Sequence, residues 1–150
     1  MLNRTHLAVG LAMALYFLPH MNDKILFVPI VLIASVLPNL GLIISSRKGV
    51  KIKRPLGRTT YLGKVVNSYT FCMVITLAIA LLYPVLAFPF FLGYSMHLFL
   101  DAFTPDGIVP FWPFIKKESK GSIGTGGKID NAIFVIMILV DVGLFVKLFV

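Results

Sequence analysis

Five apolar runs separated by polar breaks set the reading of this chain. Leu7 to Leu18 is uncharged and stops at Pro19, and Ile25 to Ser45 carries no charge over 21 residues, roughly 32 Å at helical rise. Tyr69 to Tyr83 follows, then a run from about Val85 to Phe103, then Ala132 to Val150 with Asp141 and Lys147 inside it. A bilayer core asks for about 20 apolar residues per helix. The pattern predicts an all-α integral membrane bundle of about five transmembrane helices, forming one domain over residues 1–150. The first run, with Arg4 ahead of it and Ala12-Met13-Ala14 within it, also suits a secretory signal peptide. The second run follows so closely that a helical hairpin fits better.

Prolines mark where the helices should give way. Pro29 sits early in its run, where a missing N–H costs little. Pro38 should kink or break the last third of the second helix and free a carbonyl that needs another partner. Pro84 with Pro89 marks a tight reversal. Thr104 to Lys128 reads as a loop rich in Pro, then Lys, then Gly. Its Gly121 to Lys128 stretch fails the phosphate-loop pattern, with Ser122 where Gly is required and Ile129 in place of the closing Ser or Thr.

Composition agrees with lipid as the solvent. Charged residues make up 13% of the chain and mean hydropathy is +0.92, whereas a soluble domain carries roughly 25% charge. Net charge is +8, which by itself would allow a nucleic-acid partner. Its distribution argues against one, because half of the fourteen basic residues fall between Arg47 and Lys64 with no acid among them. Such a stretch is a loop that resists translocation. Its Arg47, Lys48, Lys51, Lys53, Arg54 and Arg58 are candidate contacts to anionic lipid or to a protein partner. With the N-terminus cytoplasmic, twelve basic residues lie inside against Lys24 and Lys147 outside, so the expected location is the inner (plasma) membrane, multi-pass. Phe111, Trp112 and Phe114, followed by Lys116 and Lys117, read as an anchor at the inner headgroups. Cys72, the single cysteine, allows no disulfide framework and reads as a packing residue.

The chemistry-bearing residues gather at one predicted end. His97 and Asp101 are four apart and share a helix face, a spacing that suits one divalent ion such as zinc or manganese. The same spacing equally suits a self-satisfied His–Asp pair. His6 opens the first span on the cytoplasmic side, Pro38-Asn39 closes the second, Asn67-Ser68 opens the third, and His97 to Asp101 closes the fourth. Polar residues from four elements therefore meet at one depth. Asp141, deep in the last span, reads as a polar clasp to a neighbouring helix or as part of a proton or ion pathway.

Three stretches carry a family resemblance: Thr5-His6-Leu7-Ala8-Val9-Gly10, Leu37-Pro38, and Gly93 to Ile108 with its His97-Leu98-Phe99-Leu100-Asp101 core and Thr104-Pro105-Asp106-Gly107 exit. They resemble the YdjM-like family, LexA-regulated inner-membrane metal-dependent hydrolases similar in site layout to zinc phospholipase C. The resemblance implies a metal held by His6, His97 and Asp101 and a phosphoester substrate. The family's Asp-x-Asp after Leu-Pro is here Asn39-Leu40-Gly41. Its His-Arg-Gly-x-Thr-His-Ser motif aligns with Gly63 to Tyr69, where neither histidine is present. The ligand set is thus reduced to three, with Asn39 and Asn67 left to orient a substrate. Three functions follow as expectations: a membrane hydrolase acting on lipid or other phosphoesters at the inner leaflet; an inactive relative serving as a binding or assembly subunit, alone or as a homo-oligomer; and a small channel or transporter centred on Asp141.

Overall fold

The computed structural model describes the backbone of residues 1–47 and 61–149, and the side chains of 1–39 and 61–148. Among these residues the regular elements are helical: α1 Asn3–Phe17, a 3-10 turn Leu18–His20, α2 Lys24–Arg47, α3 Tyr61–Val66, α4 Tyr69–Leu82, α5 Pro84–Ala102 and α6 Lys128–Phe149. Lys48, Lys51, Lys53, Arg54 and Arg58 of the basic stretch lie outside the described residues, as does the side chain of Arg47.

The helix ends follow local chemistry. Ser68 is extended, and its Oγ accepts from the Phe71 N–H at 3.2 Å, satisfying a donor that has no intrahelical partner. Pro84 occupies the first position of α5, where its fixed φ is an advantage. Pro89, expected in the reversal, instead lies buried inside α5. Tyr83, at φ −144° and ψ 78°, makes the reversal alone. Pro38 does not break its helix either, since α2 continues through it to Arg47. A proline is tolerated in a packed membrane helix when neighbours satisfy the freed backbone, and α2 packs against both α1 and α5. The stretch between α5 and α6 is more ordered than its composition predicts. Ile108 and Ser119 exchange both backbone hydrogen bonds, at 2.9 and 2.8 Å, and the Tyr69 N–H donates to the Pro110 carbonyl at 2.7 Å, tying this segment over the start of α4.

Contacts between helices give their directions. Phe27 of α2 and Phe17 of α1 both pack on Phe88, while Asn39 near the far part of α2 meets Asn3, so α1 and α2 are antiparallel. Val31 and Ser35 of α2 meet Gly93 and His97 of α5 in order, so these two run parallel. The Tyr69 hydroxyl reaches Ser95 and the Phe71 ring packs on Tyr94, making α4 antiparallel to α5. Thr5 meets Asp130 near the starts of both helices, and further along each, Val9 clusters with Ile133 and Met137, so α6 runs with α1. The five long helices alternate in direction along the chain.

Two close approaches set the spacing around α2. A Cβ on Gly93 would lie 2.2 Å from the Val31 carbonyl oxygen and 3.0 Å from the Ser35 nitrogen, and one on Gly10 would lie 2.9 Å from Ser35 Oγ. Only glycine lets the α5 backbone touch that of α2 at this level. Two described helices, Pro84–Ala102 and Lys128–Leu148, are long and apolar enough to cross a bilayer, and Lys24–Asn39 and Tyr69–Leu82 form shorter apolar helices. The crossing window of α5 is 44% buried within the chain and that of α6 only 11%. Thus α5 is central and α6 is peripheral.

Candidate metal centre

The alternating directions bring the start of α1 and the end of α5 to the same end of the bundle, and with them His6, His97 and Asp101. All three are buried to within 1%, and one ligand atom from each lies within 4.8 Å of the others. His97 Nε2 is 2.9 Å from Asp101 Oδ2, and His6 Nε2 is 3.3 Å from Asp101 Oδ1. The two imidazoles stack with centroids 4.0 Å apart and planes 18° from parallel. In tetrahedral coordination at 2.0–2.1 Å, ligand atoms stand about 3.3 Å apart. The cluster has that scale.

One hydrogen bond decides the chemistry of His97. Its Nδ1 lies 2.7 Å from the Ser35 carbonyl oxygen. A carbonyl can only accept, so Nδ1 carries the proton and Nε2 of the neutral ring presents a lone pair. That nitrogen lies 2.9 Å from a carboxylate oxygen. Two electron-rich atoms at 2.9 Å require either a second ring proton or a cation shared between them. A backbone carbonyl behind a histidine nitrogen is also how metal-ligating histidines are oriented. Pro38 has no N–H for the Ala34 carbonyl, one residue before the Ser35 carbonyl that His97 engages.

The remaining nitrogens point the same way. Neither nitrogen of His6 has a hydrogen-bond partner among the described residues, nor has His97 Nε2; their contacts with Asp101 are close but out of hydrogen-bond alignment. Buried polar atoms left in this state are costly, and neutral imidazole nitrogens with a carboxylate are the donor set that zinc or manganese accepts. The residues fit a divalent cation. Asp101 also receives the Met1 ammonium on Oδ1 at 2.9 Å, so the carboxylate already faces a positive charge in this structure.

The other candidate residues are placed nearby with partners of their own. Asn39 donates to Asn3 Oδ1 at 2.8 Å. Asn67, just past α3, donates back to the Gly63 carbonyl at 2.9 Å, and its buried Oδ1 has no partner among the described residues. Tyr94, one turn before His97, donates to the Val66 carbonyl at 2.7 Å and holds this part of the chain against α5. Asp141 lies away from the cluster. The clasp expected for it is absent among the described residues, since it is 5% exposed and neither carboxylate oxygen has a hydrogen-bond partner.

Sequence reasoning missed a second buried carboxylate. Asp130, fully buried, accepts from Thr5 Oγ1 at 2.7 Å, from the Leu2 N–H at 3.1 Å and from the Gly126 N–H at 2.8 Å. It pins α6 and the loop before it to the first turn of α1, one residue from His6. The signal available in the sequence was weak: an acid in the first turn of an apolar helix, which the helix dipole alone would explain.

No curated protein and no solved structure matches the chain. A family model described as YdjM inner membrane protein matches residues 1–148. That span covers nearly the whole chain, and it includes α1, which carries His6, and α5, which carries His97 and Asp101. With two membrane-capable helices and this match, the chain is a membrane protein and belongs to the YdjM inner membrane protein family.

Proposed function

We propose that this chain is a multi-pass inner-membrane protein with a cytoplasmic N-terminus, and that His6, His97 and Asp101 hold one divalent cation, zinc or manganese, for hydrolysis of a phosphoester at the inner leaflet. The observation that supports this most is the buried Nε2 of His97, left unprotonated by the Ser35 carbonyl on Nδ1 and held 2.9 Å from Asp101 Oδ2. When bound, such an ion supplies Lewis acidity and lowers the pKa of water. The chain's own part is to orient. Ser35 sets the tautomer of His97, stacking holds His6 beside it, and Asp101 supplies the negative charge. Three protein ligands leave a fourth position for water or substrate, as in catalytic zinc sites. Asn39 and Asn67 are two side-chain amides at this end of the bundle that would orient a substrate. The alternating helix directions and the twelve-to-two distribution of basic residues support the orientation.

One observation favours a second reading. The Met1 ammonium on Asp101 supplies the positive charge that a metal would otherwise bring. In that case the cluster is a structural clasp, and the chain is an inactive relative acting as a binding or assembly subunit through its basic 47–64 stretch.

Metal content separates the two. Protein purified in mild detergent should carry one zinc or manganese per chain, and His97→Ala should lose it. Absence of metal from both preparations overturns the hydrolase and leaves the clasp. Metal-loaded protein should then release headgroups from phosphoester lipids in vesicles.

A further inference from the structure

The segment between α5 and α6 forms a lobe at the same end of the bundle as the start of α1 and the start of α4. Ile108 and Ser119 pair at its base, the Tyr69 N–H holds the Pro110 carbonyl, and the Ile115 N–H donates to the Phe111 carbonyl at 2.9 Å. Backbone bonds therefore fix the tip. Its exposed side chains are apolar and then cationic: Phe114 is 82% exposed, Ile115 53%, and Lys116 and Lys117 follow directly, both exposed. Trp112 stands beside them. Its ring centroid lies 5.6 Å from the Lys64 ammonium of α3, and the Tyr61 ring meets it edge-on at 5.8 Å.

Residues 1–150 hold too few acids to neutralise this end. The six are Asp23, Asp101, Asp106, Glu118, Asp130 and Asp141, and none falls between Asp23 and Asp101. Asp23 precedes α2 at the opposite end, and Asp101, Asp130 and Asp141 are buried. Glu118 pairs with Lys120 at 2.6 Å. Only Asp106 is left against Arg4, Lys64, Lys116, Lys117, Lys128 and the six basic residues from Arg47 to Arg58. The balancing negative charge comes from outside these residues.

The exposed apolar tip selects its source. Pro110 is bonded to Tyr69, the first residue of an apolar helix, so the lobe sits where that helix leaves the bilayer. Rings and aliphatic groups settle into a headgroup layer there, with the lysines beside them facing anionic headgroups.

We infer that the 109–118 lobe, with Lys64 beside it, is a docking surface for anionic phospholipid: Phe114 and Ile115 enter the headgroup layer, and Lys64, Lys116 and Lys117 face the headgroup phosphates. The anchor legible in the chain from Phe111 to Lys117 thereby gains a cation from another helix and a preference for lipid charge. It uses none of His6, His97 and Asp101 and stands whether or not a cation binds there.

Trp112 is the single tryptophan of the chain, so its fluorescence reports on this lobe. The full chain is reconstituted in phosphatidylcholine vesicles with a minor fraction of brominated lipid, either phosphatidylglycerol or phosphatidylcholine. Brominated phosphatidylglycerol should quench Trp112 more strongly, with an apparent preference on the order of tenfold at low salt. A chelator should leave that preference intact, and high salt should reduce it. Lys116→Gln combined with Lys117→Gln should cut it roughly fivefold or more, whereas Lys24→Gln, at the opposite end, should leave it unchanged. Equal quenching by the two lipids in the parent chain overturns the inference. So does a preference that the double variant keeps in full. Quenching by aqueous acrylamide and by neither lipid also overturns it, because the lobe would then stand in water and its lysines would serve an acidic protein.

Discussion

His97 donates through Nδ1 to the Ser35 carbonyl at 2.7 Å, and that bond turns its other nitrogen toward Asp101. The two residues come from different helices that meet only because Gly93, one turn before His97, allows α5 to touch α2. The donor set of the candidate centre is therefore a product of helix packing.

The tautomer can be read directly. Nitrogen-15 spectra of histidine-labelled protein should show His97 protonated at Nδ1, and zinc should move the Nε2 resonance while leaving Nδ1 protonated. An Nε2-protonated ring that ignores zinc would remove the basis for metal binding.

Gly93→Ala places a methyl group 2.2 Å from the Val31 carbonyl oxygen. Backbone atoms cannot move aside as a flexible side chain can, so α5 must withdraw. Overpacking of this kind costs about 1–3 kcal/mol. A lower midpoint in detergent thermal unfolding is expected, together with weaker metal retention as His97 is drawn away from Ser35. A variant as stable as the parent would show that the two helices do not touch there.

Asp130→Ala removes three accepted hydrogen bonds and strands the Leu2 and Gly126 N–H groups and the Thr5 hydroxyl. Each unsatisfied buried donor costs roughly 1–3 kcal/mol. Faster proteolysis within residues 121–128 and a lower unfolding midpoint should follow, with Asp130→Asn intermediate because it keeps one acceptor. Unchanged proteolysis would mean that α6 is held to α1 by apolar packing alone.

Orientation is testable by cysteine labelling in a Cys72→Ala background. Lys117→Cys should react only after the cytoplasmic face is opened, and Lys24→Cys should react from outside. Labelling of both from one side would remove the five-span reading, because the chain between them would then cross an even number of times.

Much of this fold was legible along the chain because helices are local. Apolar runs bounded by Ser68, Pro84 and the loop after Ala102 locate α4 and α5 to within a residue or two, and a spacing of four puts His97 and Asp101 on one face whatever surrounds them. The meeting of His6 with that pair could be anticipated from alternating spans and counted charges. Other features had no such signature. Every residue has a carbonyl, so nothing distinguishes that of Ser35 until α5 is packed against it. Asp130 acts on donors from two segments far apart in sequence, the start of α1 and the loop before α6, and the lack of a bonded partner for Asp141 among the described residues depends on which side chains fail to reach it. Hydrogen-bond partners far apart in sequence are chosen by packing, and packing also decides that Pro38 and Pro89 stay within their helices.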